Sequence, residues 1–335
     1  MGKSKSFSDR LAIRAHLAQG RHGMKGEIAD LRVDVDEAMA AFERLFGAIF
    51  FGYSHTTAPT IFDGVNVFSY ATKVGSVYQL TRDVFLADQS YVASTATVFT
   101  AGYRVSCAGK LTNDGLIHND GKNAVGGTPG GPSALGALGI GTTGGTGRTN
   151  NVGLTGAPQT NSLGDAAAHG GAGGAGGANA GGAGGTYVSQ AANGGAHHLL
   201  ALLMGYLLGQ TSGGNQAQTL IIGGGAGGGA GGSDNGGVTP GGGGGGGGVI
   251  VLNVLELVNN GIIRAAGGRG GDATGAGGNG GTGGGGGGGL ILNMSRYRSG
   301  RGSMIVPGGL GGAVAVGTGV LGNAGSDGHI DAFLT

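Results

Sequence analysis

The sequence predicts a mainly β protein: a β-solenoid or a stack of β-hairpin units with packed polyglycine segments, preceded by a short α-helical segment. Three observations lead there. Val-, Phe-, Tyr- and Ile-rich stretches of strand length recur from residue 60 onward, three strand-turn-strand copies align with one another, and long glycine tracts separate them. Glycine makes up 87 of 335 residues, a composition that by itself points to a linker. The hydrophobic fraction of 39% argues the other way, because linkers are polar and bury too little apolar surface to offset the entropy of ordering.

The helical signal is confined to residues 1–55, expected to anchor the chain or to oligomerise it. FSDRLAIRAHLAQG has Ser6 or Ser8 as N-cap and Gly20 as stop. In the helix that follows, Ile28, Leu31, Val35, Ala38, Phe42 and Leu45 alternate at spacings of 3 and 4, a heptad seam of nearly three repeats. Such a seam packs either on a partner helix or on the protein's own sheet. MGKSKS satisfies the N-myristoylation pattern at Gly2, although Lys3 and Lys5 suit an exposed arm equally well. No apolar leader follows it, and the longest apolar run, LLALLMGYLL, has half of the roughly 20 residues that a membrane-spanning helix needs. No membrane insertion is expected.

Residues 56–121 read as a β domain, with GVNVFSY, GSVYQLTRDVFL and YVASTATVFTAGYRVSCAG alternating apolar and polar positions. Cys107, the only cysteine, falls at a buried strand position and excludes an intrachain disulfide. Residues 122–335 form a glycine-rich repeat domain with β units near 249–267 and 290–308. LTNDGLIHNDG (111–121), LVNNGIIRAAG (257–267) and RSGRGSMIVPG (298–308) each carry a glycine, an apolar residue two positions on and a second glycine six after the first. The glycines are Gly115 and Gly121, Gly261 and Gly267, and Gly302 and Gly308; the apolar residues are Ile117, Ile263 and Met304. A strand, a turn whose Asn and Gly accept positive φ, and a second strand make either a hairpin or one coil of a solenoid. In GGAGGAGGA, alanine recurs at Ala172, Ala175 and Ala178, the period of a left-handed extended helix whose backbone groups must bond to neighbouring segments.

Chemistry is sparse. No glycine tract continues into the Lys-Ser or Lys-Thr of a phosphate loop, GGRGGD occurs once where a calcium-binding roll needs tandem copies, and adjacent His197 and His198 diverge on regular structure. The acids after Gly121 suggest no opposed catalytic pair, so neither an enzyme nor a cofactor or metal is expected. A net charge of +1 gives no footprint for nucleic acid. Side chains that break the glycine monotony, Tyr187, His197, His198, Tyr206, Arg269, Tyr297 and Arg298, are the candidate contact residues, since aromatic and Arg residues dominate interface energies.

Across residues 80 to 312, LTRDVFLADQSYVASTATVFTAGYRVSCAGKLTNDGLIHNDGKNAVGG, GGGGGGGGVIVLNVLELVNNGIIRAAGGRGG and GGGGGGGLILNMSRY resemble the glycine-rich structural proteins of tailed bacteriophages. The resemblance implies a virion-surface protein, a spike, fibre or capsid decoration on head or tail. Its partners would be other virion proteins and further copies of the chain, as a homotrimer. The similar adhesins at tail-fibre tips imply packed polyglycine helices whose connecting loops touch a host-surface receptor. The chain departs from those adhesins in its helical N-terminal segment and in the copies at Leu257 and Arg298. An ice- or polysaccharide-binding module is the remaining alternative.

Overall fold

The computed structural model describes residues 54–131, 141–161, 169–185, 187–189 and 224–333, all within one compact unit, Phe51–Thr335. The N-terminal helical segment and its heptad seam lie outside the described residues. The described chain contains strands and no helix: β1 (Ser54–His55), β2 (Ile61–Phe62), β3 (Ala71–Val74), β4 (Val77–Leu80), β5 (Val84–Leu86), β6 (Ser90–Val92), β7 (Thr97–Phe99), β8 (Val105–Asn113) and β9 (Leu116–His118). They continue as β10 (Gln159–Asn161), β11 (Tyr187–Ser189), β12 (Val238–Thr239), β13 (Val249–Asn259), β14 (Ile262–Arg264), β15 (Thr274–Gly275), β16 (Leu290–Ser299), β17 (Ser303–Ile305) and β18 (His329–Phe333).

Two largely parallel sheets hold the core. The first runs β1-β5-β8-β13-β16-β18 with β6 also on β8, and the second runs β17-β14-β9-β7-β4-β3. Pairing within them reproduces the alignment of the three sequence copies: Leu111, Leu257 and Arg298 are register partners, as are Ile117, Ile263 and Met304. A further strand-turn-strand unit that the glycine-turn pattern does not mark, β6 and β7, pairs alongside the first copy, with Ser90 opposite Leu111 and Val98 opposite Ile117. Tyr78, Val98, Ile117 and Ile263 thus form one inward column of the second sheet, and all are buried in a single cluster with Leu86, Leu111, Leu252 and Leu257 of the first. Cys107 is buried in this cluster, and burial pushes its thiol up to about 11.

Two expectations are corrected. The copies are not hairpins, because β13 pairs with β8 and β16 while β14 pairs with β9 and β17, in the other sheet. The one tight antiparallel pair of neighbouring strands among the described residues is β3 with β4. The turn glycines Gly115, Gly261 and Gly302 also do not have positive φ. They are needed because successive turns lie close together: a Cβ on Gly261 would strike the Gly115 carbonyl, and one on Gly302 the Gly261 carbonyl. Side chains bind the same turns, with Asn113 Nδ2 donating to Asn259 Oδ1 (2.8 Å) and Asn260 Nδ2 donating to Asp114 Oδ1 (2.9 Å).

The glycine tracts are extended segments continuous with these strands. Gly241–Gly248 leads into β13 and is buried along its length, as are residues 224–233 and 281–289. Its successive amides point in three directions. Those of Gly241, Gly244 and Gly247 donate to Gly281, Gly284 and Gly287; those of Gly242, Gly245 and Gly248 donate to Gly126, Lys122 and Asn119; those of Gly243 and Gly246 donate to Gly145 and Thr142. Its carbonyls accept from residues 225–231, 268–271 and Gly130. The segment therefore has six bonded neighbours, which satisfy all eight of its amides and most of its carbonyls, as burial demands. Gly283–Gly289 repeats the pattern, donating in turn to residues 265–271, 226–229 and 323–326.

Candidate binding surface at the loop end of the glycine lattice

Each glycine segment leaves the sheets, turns and returns, so the turns gather at one end. They fall at 125–128, 148–151, 176–179, 233–238, 273–280 and 314–319. Backbone bridges join them, Asn151 to Ser233, Ser233 to Gly280 and Gly280 to Val316, and β12 pairs with β15. Gly177 and Gly317 turn with φ of 58° and 61°, where a side chain would be strained.

Polar side chains fix this surface. Asp234 accepts from the Asn279 amide and from Asn279 Nδ2, both at 2.8 Å, and these bonds hold its carboxyl below the usual range. Asn279 Oδ1 in turn accepts from the Thr318 amide (2.7 Å) and hydroxyl (2.9 Å). Asn179 Nδ2 donates to the Ser233 carbonyl at 2.6 Å and Asn235 Nδ2 to the Gly277 carbonyl at 2.7 Å. Asp272 accepts from the amides of Ala313 and Val314 and from Arg269 (2.7 Å). Partial burial would raise its pKa, but these donors outweigh that and lower it. Apolar side chains stand out between the polar ones: Val125 is 78% exposed, and Val152, Val314 and Val320 are also exposed. Ordered turns with fixed donors and acceptors and isolated exposed valines form a surface suited to contact with another molecule.

The sequence-derived contact residues do not converge on this end. Arg269 lies on a segment leading toward it and is paired with Asp272. Tyr297 and Arg298 are exposed near the C-terminal end of β16, beside the turn that leads to β17, and the Arg296 guanidinium lies 5.4 Å from the Tyr297 ring centre. Tyr187 is in β11, which pairs with β10. His197, His198 and Tyr206 lie outside the described residues, as do Ile28, Leu31, Val35, Ala38, Phe42 and Leu45. Sequence reasoning passed over Asp234, Asn235, Asn279 and Thr318. Their signal is the short polar interruption of a glycine tract, as in GSDNGG and GGNGG, which marks a turn.

No protein-family model matches this chain, and neither a curated protein nor a solved structure does.

Proposed function

We propose that the chain is a virion structural protein of a tailed phage, anchored by residues 1–55 and projecting a β-solenoid whose coils continue into a hexagonal bundle of polyglycine helices. One observation carries the reading: three glycine segments are fully buried, with their amides bonded to different neighbours in rotation. Three residues per turn and mutual backbone bonding are the properties of polyglycine helices packed side by side. Such a bundle is stiff and presents six turns at a fixed spacing, which suits a spike, fibre or decoration. Mass spectrometry of purified particles is the test: the chain is expected in stoichiometric amounts, and particles lacking it would refute the assignment.

The exposed loop end favours a second role, adhesion to a host-surface receptor, because its turns carry polar groups and lone valines and no catalytic arrangement. Purified protein is then expected to bind host cells and to compete with phage adsorption. Replacing Val125, Val314 and Val320 together with Ala should abolish that competition without lowering the melting temperature; unchanged competition would refute the adhesive role.

A further inference from the structure

We infer that Asn235 is a site of spontaneous covalent modification, at which the loop end loses an amide and gains a carboxylate. Three Asn-Gly pairs lie among the described residues: Asn235-Gly236, Asn260-Gly261 and Asn279-Gly280. A glycine after asparagine leaves the next backbone nitrogen unhindered, so the three share one intrinsic reactivity and only the fold separates them. It does so first at the nitrogen. The Gly261 amide donates to the Asn113 carbonyl at 2.8 Å and the Gly280 amide to the Val316 carbonyl at 3.0 Å, whereas the Gly236 amide has no partner among the described residues. Room differs in the same sense. Gly280 is buried and a Cβ on Gly261 would strike the Gly115 carbonyl, but Gly236 is exposed and an added Cβ there meets nothing within 4 Å.

The side chains add to the difference. Asn279 is held through Nδ2 on Asp234 and through Oδ1 on both Thr318 donors, and Asn260 Nδ2 is held by Asp114. Asn235 is exposed; its Nδ2 donates to the Gly277 carbonyl at 2.7 Å, and its Oδ1 accepts from the Gly237 amide at 3.0 Å. That amide faces the oxygen on which negative charge develops when the carboxamide carbon is attacked. The step needs only water and hydroxide. Gly236 N gives its proton to hydroxide and attacks Asn235 Cγ; the new C–N bond closes an imide ring, and Nδ2 takes a proton from water and leaves as ammonia. Water then opens the ring at either carbonyl, giving aspartate or isoaspartate at position 235. The product puts a second carboxylate beside Asp234 and removes the donor that ties turn 233–238 to the Gly277 carbonyl in turn 273–280.

The full chain should be held in mildly alkaline buffer and the three pairs followed by peptide mass spectrometry, which reads replacement of the amide nitrogen by oxygen and separates isoaspartate by its elution. Reaction at Asn235 is expected to be at least about tenfold faster than at Asn260 or Asn279, because a tethered amide reacts only after its hydrogen bond opens. That ratio should vanish in denaturant, and Gly236→Ala should slow the reaction at Asn235 severalfold at an unchanged melting temperature. Similar rates at the three sites of the folded chain, faster reaction at Asn260 or Asn279, or a ratio that survives unfolding would each overturn the assignment. The effect on function rests on the adhesive role proposed above: reacted protein should compete less with phage adsorption than fresh protein. Fresh protein that fails to compete refutes that role and leaves the mass-spectrometric result to decide this one.

Discussion

The β coils and the glycine lattice solve the same problem by opposite means. In the coils, side chains do the packing: Ile117, Ile263, Leu252 and Leu257 fill the space between two sheets, and the backbone bonds only to its two neighbouring strands. In the lattice, the backbone does the packing, and each buried segment bonds to six neighbours because little projects from it beyond the small side chains of Ala226, Ala230, Ser233 and Thr282. The comparison teaches where each region tolerates change. A buried side-chain position between the sheets accepts another side chain of similar volume, whereas a lattice glycine whose added Cβ would meet a neighbouring carbonyl accepts none.

The largest effect should come from adding bulk to the lattice. A Cβ on Gly244 would meet the Gly268 carbonyl and one on Gly245 the Gly131 carbonyl, closer than atoms can pack. Gly244→Val with Gly245→Val is expected to prevent folding, read as loss of the cooperative thermal transition. Retention of a normal transition would break the contrast between the two regions. In the coils, the buried pair of Asp83 with Arg104 comes next, with Asp83 Oδ1 also accepting from the Arg104 amide. Asp83→Ala should cost about 3–5 kcal/mol by removing the carboxylate that pairs with a buried guanidinium. Leu257→Ala, which empties a fully buried site, should cost about 2–5 kcal/mol in denaturant unfolding.

Asp120 sharpens the comparison where coil and lattice meet. Burial alone would raise its pKa, but His118, the Arg264 guanidinium and the Ala266 amide together lower it. With the folded value below the unfolded one of about 3.9, its contribution is complete above that pH and is lost as pH falls through the lower, folded value. Stability should therefore hold from neutrality to about pH 4 and decline below it. Asp120→Asn should be less stable at pH 7 and fall less steeply in acid. The smallest effect belongs to Gly236, an exposed loop position where an added Cβ meets nothing within 4 Å. Gly236→Ala should change stability by less than about 0.5 kcal/mol.

The paired strand units were legible in the sequence because side chains encode them. Gly115, Gly261 and Gly302 align in the sequence as they stack in space, and Ile117 and Ile263 follow in register. The unit containing β6 and β7 escaped because its turn, Ala93–Ala96, has Thr95 before Ala96 where the other copies have Asp114, Asn260 or Arg301 before Gly. The lattice was legible only as a period of three at Ala172, Ala175 and Ala178. Which segment bonds to which is set by backbone groups that are the same at every glycine, so Gly244 carries no mark of its partner Gly284. The loop end was hidden for a related reason: Asp234 and Asn279 are brought together by the return of two glycine segments, 45 residues apart.

Native-state hydrogen exchange of the amides of Gly241–Gly248 and Gly281–Gly289 tests the central claim most directly. A backbone-bonded lattice predicts protection close to that of the amides of Leu252 and Leu257 in the coils, lost only with global unfolding. Exchange of these glycine amides at the rate of an unstructured chain, while Leu252 and Leu257 stay protected, would contradict it.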